Sequence, residues 1–251
     1  MAITQKASRK PYLYKICKNK QCLYFFGEKH SFDPKKTQWV KLKSLWSDFL
    51  KDSEQTKKVT FVEAGKVPPA TNETEAITEA GGTGLVSFLA NQSGVEMICP
   101  EPSKKQESIH LEKRFPRERI EYYYFARVVD QWWKIPEPRP DFEKYISGFL
   151  DRDKRVLDWK DFDFSFENMK KIHRKLFKKD FNLNKQDFFR DISSPYGTNN
   201  LINKIVISSG NFREKHLTEK ILEYWEKGYS IFIEYGSSHA IAQEVILKNK
   251  L

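Results

Sequence analysis

The chain contains no run of 18 or more apolar residues, no internal repeat and no low-complexity tract. A membrane-spanning helix needs about 20 such residues, so none is expected. The opening MAITQKASRKPYLYK carries basic residues but not the continuous apolar core of a secretory signal, and a soluble, cytoplasmic protein is the expectation. Cysteine is scarce. Cys17, Cys22 and Cys99 are odd in number, and the spacing of the first two fits neither a zinc ribbon nor a redox dithiol, which predicts ordinary reduced thiols. No arginine-rich tract accompanies the formal charge of +10; lysines alternate with acids, as in HRKLFKKDFNLNKQDFFRD, the pattern of a solvated surface. A small molecule or a peptide is therefore the expected partner, ahead of nucleic acid.

What is present argues for a packed domain. Hydrophobic residues make up 39% and aromatics 14% of 251 residues, enough apolar surface to offset the entropy of ordering the chain. QCLYFFGE reads as a strand, and TQWVKLKSLWSDFLKDSE places Trp39, Leu42, Leu45, Trp46, Phe49 and Leu50 on one helix face. KKVTFVEAG is a second strand, NETEAITEAGGTGLVSFLANQSG a helix broken by its own glycines, and VEMICPEP a third short strand. This βαβαβ order predicts an α/β fold with a mostly parallel central sheet flanked by helices. Residues 112–200 show no strand alternation and read as a helical insertion or cap within a single domain spanning 1–251. The α/β grammar then resumes with an amphipathic helix, the strand YSIFIEYG, the loop GSSH and a last helix.

Ligands of parallel sheets bind beyond the carboxyl ends of the strands, and three strands deliver a carboxylate there: Glu28, Glu63 and Glu101. Two of the apolar strands also end in Gly-x-x-His, at Gly27–His30 and Gly236–His239. An imidazole at the turn that opens a helix sits near the positive end of the helix dipole, which disfavours imidazolium. A neutral imidazole is what a metal ligand or a general base requires. Read alone, His30 is also an ordinary loop histidine and Glu63 an ordinary ion-pair partner; the recurrence of the pattern is what makes them candidates. Arg213, in NFREKH, has the chemistry to stabilise an oxyanion or clamp an anion. Glu101, Glu79 beside the glycines of EAGGTG, Ser237 and Ser238 are the candidates for substrate contact. His110, His173 and His216 lie in charged segments and read as exposed and structural.

The GEKH turn, the strand ending FVEAG, the Arg213–Glu214 pair and the closing YGSSH together resemble the superfamily of Tiki proteases, TraB-like proteins, ChaN-like proteins and erythromycin esterases. The form of GEKH is most similar to the ChaN-like branch, which has been linked to haem. The resemblance covers about 20–102 and 203–250. Glu214 stands where Asp or Asn is usual in those families. The resemblance implies hydrolysis of an ester or peptide bond. Two chemistries suit the residues equally. His30, His239 and Glu63 have the donors to hold a divalent cation (Mn, Co or Zn) that acidifies bound water, or a histidine activates water directly while Arg213 stabilises the oxyanion. In either case His30, His239, Glu28, Glu63 and Arg213 are the expected catalytic set. The alternative is a non-catalytic protein that binds a small molecule or nucleic acid on the same fold.

Overall fold

The computed structural model describes residues 11–63, 65, 67–197 and 201–251. In chain order the elements begin β1 (Tyr12–Lys18), β2 (Gln21–Glu28), α1 (Gln38–Asp52), β3 (Lys57–Val62), α2 (Glu73–Ser93) and β4 (Glu96–Ile98). Five helices follow: α3 (Lys104–Glu112), α4 (Arg117–Lys134), α5 (Phe142–Leu157), α6 (Phe166–Phe177) and α7 (Gln186–Ile192). The chain continues with α8 (Leu201–Glu226), β5 (Tyr229–Gly236) and α9 (Ser237–Lys250). Two compact units result. Among the described residues, one takes Pro11 to Glu101 together with Arg213–Leu251; the other is Pro102–Phe212. Among the described residues no helix is long and apolar enough to cross a membrane.

The first unit is the α/β one. Its five strands form a single mixed sheet in the order β1-β2-β5-β3-β4, antiparallel between β1 and β2 and parallel elsewhere. Successive side chains of a strand point to opposite faces, and here each parity has its own core. Tyr24, Phe26, Val62 and Phe232 pack with Trp39, Leu42, Trp46 and Phe49 of α1 and with Leu85 and Val86 of α2. Leu23, Phe25, Phe61, Ile231 and Ile233 pack instead with Leu217 and Ile221 of α8 and with Ala240 and Leu247 of α9. Burial on both faces is why QCLYFF and YSIFIE read as continuous apolar runs rather than alternating ones.

Three expectations change. β1 adds an antiparallel edge strand that the βαβαβ reading omits. β5 pairs with both β2 and β3, so the first two strands of that reading are not neighbours. Cys17 and Cys22 are not reduced thiols: they form a disulfide, because the β1–β2 hairpin register sets them directly opposite one another. Cys99 is free.

The second unit is all helical. Tyr122, Tyr123, Tyr124, Phe125 and Ala126 of α4 are all buried, so the middle of this helix is enclosed around its whole circumference, as a central helix must be. α5, α6 and α7 cover it through Ile146, Leu150, Met169, Ile172 and Phe189. His173 is buried rather than exposed, and its Nδ1 lies 2.6 Å from the Tyr122 hydroxyl. That partner explains how an imidazole sits in an aromatic core.

Candidate functional site

Strand parity places the first carboxylates. Glu28 continues the Tyr24–Phe26 series of β2 and Glu234 continues from Phe232 on β5, so both are carried toward the face covered by α2, where both are buried. α2 makes room for them by its break at Ala80 and Gly81, the latter at φ 59°. At the next residue, Gly82, a Cβ would stand 2.2 Å from Glu28 Oε2 and 2.7 Å from Glu234 Oε1; only glycine allows this approach. The EAGGTG segment is therefore a cradle for two carboxylates, not an anion nest. Burial first, and then the neighbouring Glu28 charge, push the Glu234 carboxyl far above its ordinary range, while Thr83 Oγ1 donates to its Oε2 at 2.8 Å. A neutral Glu234 is what lets the two acids share the pocket.

Glu28 uses its other oxygen to orient the first histidine. Oε1 lies 2.6 Å from His30 Nδ1, whereas Oε2 is buried without a hydrogen-bond partner. His30 itself is 67% exposed. It does not open a helix as expected, because α1 begins only at Gln38. Nor is its imidazole biased toward neutrality: the Glu28 hydrogen bond raises its pKa, outweighing the opposing effect of burial.

His239 does lie in the first turn of a helix, α9, yet its pKa too is raised. Burial pulls it down, but the hydrogen bond and charge of Glu214 and the charge of Glu63 prevail. The Glu214 Oε1 contact to Nδ1 is very short. Glu214 in turn accepts from Gln243 Nε2 on Oε2 at 2.6 Å, and Gln243 is fixed by Thr218 Oγ1, which donates to its Oε1 at 2.8 Å. A carboxylate in contact with the ring outweighs the half-charge of a helix terminus.

The two histidines face a common group. His30 Nε2 is 3.9 Å from Glu63 Oε2, and His239 Nε2 is 3.7 Å from Glu63 Oε1. Gly236 N donates to Oε2 at 3.2 Å, and an Arg213 terminal nitrogen reaches Oε1 at 3.5 Å. Burial alone would raise the Glu63 pKa; His239, Arg213, His30 and the Gly236 amide together lower it, so it is an anion at neutral pH. A Cβ at Gly236 would come 3.1 Å from His30 Nε2, so a larger residue there would crowd the His30 ring.

The remaining candidates divide. Arg213 Nε donates to Glu101 Oε2 at 2.6 Å, so Glu101 enters the centre as the partner of Arg213. Ser237 is buried and Ser238 half-buried in the first turn of α9 beside His239. Glu79 is exposed on α2, and no described hydrogen bond or ion pair joins it to the centre; it is not brought to the site. Sequence reasoning missed the orienting roles of Glu214 and Gln243, and it missed Glu234 entirely. A carboxylate inside the otherwise apolar YSIFIEYG was the available signal, since a charge in a strand buried on both faces needs a reason to be there.

Two imidazole nitrogens and a carboxylate are donors that borderline divalent cations accept. Each Nδ1 is held by a carboxylate, the outer arrangement that orients metal-binding histidines. The nitrogen–oxygen gaps of 3.7 and 3.9 Å exceed a hydrogen bond. Among the described residues no group of three or more His, Cys, Asp or Glu is placed to hold a metal ion. Compared with protein-family models, with curated proteins and with solved structures, the chain matches none of them.

Proposed function

We propose that the protein is a hydrolase of ester or peptide bonds whose centre is the His30–Glu63–His239 array. The observation that carries this reading is the shared carboxylate: two imidazoles, each held at Nδ1 by its own acid, present Nε2 to opposite oxygens of Glu63. Paired titratable groups with opposed shifts mark acid–base machinery. Exposed His30 is the group placed to exchange a proton with water or a leaving group. When the ring is neutral, Glu28 fixes its tautomer, with Nδ1 as donor and Nε2 left to accept. His239, held by Glu214, balances the Glu63 charge from the other side, and Arg213 supplies positive charge beside the same oxygen. The donors of His30, His239 and Glu63 would hold a divalent cation, which when bound supplies an acidified water. The motif resemblance to the Tiki, TraB, ChaN-like and erythromycin esterase families supports the same reaction class.

His30→Ala and His239→Ala test the reading, with metal content measured by elemental analysis and activity on an ester and peptide panel. Loss of a proton-transfer group is expected to lower kcat by about 10²–10⁴-fold. Unchanged activity and metal content in both variants would defeat it.

A second reading, non-catalytic binding of nucleic acid, has one observation in its favour. A cleft of about 830 Å³ on the helical unit is lined by Lys170, Lys171, Arg174, Lys175 and Lys178, with Glu167 and Asp180 among them and paired to Lys170 and Arg174. Oligonucleotide binding that weakens steeply with salt would support it. The cytoplasmic location expected from the sequence belongs among these proposals as well. The Cys17–Cys22 disulfide weighs against it, since such bonds persist in oxidising compartments; thiol trapping in intact cells decides the matter.

A further inference from the structure

A cleft of about 250 Å³ opens beside His30, and its walls include Lys29, Lys36, Lys41, Ser31 and Thr37. No carboxylate lines it among the described residues. Lys36 reaches Asp33 at 3.5 Å, while Lys29 and Lys41 are exposed with no acid described within ion-pair distance. The first turn of α1, which forms one wall, carries no acidic residue either. The other wall is fixed to it: Gln38 accepts from the Lys29 backbone amide at 3.2 Å and donates to the Lys29 carbonyl at 2.8 Å. This two-point clamp holds the Lys29 backbone opposite α1, so the cleft is a preformed feature rather than a chance gap between surface side chains.

We propose that this cleft receives an anionic end of the substrate, a carboxylate or phosphate group, with the scissile bond at His30. The inference rests on the hydrolase reading above and deepens it by naming the substrate class: small acidic esters or amides. Three ammonium groups, two of them with no acid described within ion-pair distance, line a concave surface and focus a positive potential there, and His30 belongs to the same wall, so an anion held by the lysines lies beside the His30 ring. At about 250 Å³ the cleft is smaller than the 300–1,000 Å³ or so of whole-ligand pockets. It takes one end of a molecule and leaves the rest near Glu63. Ser31 and Thr37 supply hydroxyls in addition to charge, as recognition of an oxyanion group requires.

The test compares the phenyl ester of succinic acid, which is an anion, with its methyl-capped neutral counterpart. The wild type is expected to favour the anion in kcat/KM by about tenfold or more at low salt, with the preference shrinking as ionic strength rises. In the double variant Lys29→Ala/Lys41→Ala the ratio is expected to fall toward one. A wild-type ratio near one, or a ratio the double variant leaves unchanged, overturns the inference. Calorimetric titration of His239→Ala with succinate and with inorganic phosphate separates this claim from the hydrolase reading. Binding weakened about tenfold by adding the two lysine substitutions, without turnover of any ester in the wild type, keeps the anion site and removes the hydrolase. Turnover with no anion binding keeps the hydrolase and removes the site. Tighter binding of phosphate than succinate points to phosphoryl-bearing substrates, and the reverse order to carboxylates.

Discussion

Gln243 donates its amide to Glu214 Oε2 at 2.6 Å while Glu214 holds His239 Nδ1 through its other oxygen. The glutamine is fully buried and Glu214 nearly so, so the second turn of α9 orients a histidine in its first turn by way of α8. Gln243→Leu removes the donor and strands a buried carboxylate oxygen. The expected cost is about 1–3 kcal/mol of stability, read from chemical denaturation. A variant as stable as the wild type would show that this network does not hold Glu214.

Glu28 raises the His30 pKa through a direct hydrogen bond. In Glu28→Gln the charge is gone, and proton NMR titration is expected to find the imidazole returning toward about 6.5. If His30 acts as a base, activity in the wild type rises as pH increases through its raised pKa, and this limb moves to lower pH in the variant. A His30 titration that ignores the substitution contradicts the geometry.

Glu121 makes the helical unit sensitive to pH. Its carboxylate is fully buried; burial first and then the Asp153 charge push its pKa up to about 8, against the opposing pull of Lys104. A carboxyl with a raised folded-state pKa binds its proton more tightly folded than unfolded. Its contribution is complete below the unfolded value of about 4.3 and is lost as pH rises through the folded one. Stability is therefore expected to decline between about pH 4.3 and pH 8, and Glu121→Gln, which stays neutral, is expected to flatten that decline. Equal slopes in the two proteins would contradict the assignment.

The Cys17–Cys22 bond closes a short hairpin loop, so it restricts the unfolded chain only modestly. Cys17→Ser/Cys22→Ser is expected to lose about 2 kcal/mol and to be insensitive to added reductant, whereas the wild type shifts toward the variant when reduced. Denaturation curves with and without dithiothreitol read both effects. A wild type indifferent to reductant would mean the hairpin does not depend on the bond.

Local patterns in the sequence carried much of this architecture. The alternation of strand and helix, the break in α2 at its glycines and the apolar face of α1 are encoded within ten or twenty residues of one another, so periodicity exposes them. The two Gly-x-x-His turns and Glu63 were legible for the same reason. Other features depend on pairing across the chain. Tyr12, Tyr14 and Ile16 alternate as an edge strand does, but the Cys17–Cys22 register appears only once β1 lies against β2. The protonation tendency of the histidines was misjudged because Glu214 is 25 residues from His239, and a helix dipole is visible locally when an opposing carboxylate is not. Glu234 was hidden by the run of apolar residues around it.

β5 lies between β2 and β3, although the whole helical unit separates it from both in the chain. During synthesis the two flanking strands emerge first with their inner edges unpaired, and neither can complete the sheet until a segment made some 170 residues later arrives. Folding of the α/β unit is thus a distant ring closure, slow in proportion to its contact order. In the meantime those open edges are the places where a nascent chain would bind a chaperone or another copy of itself.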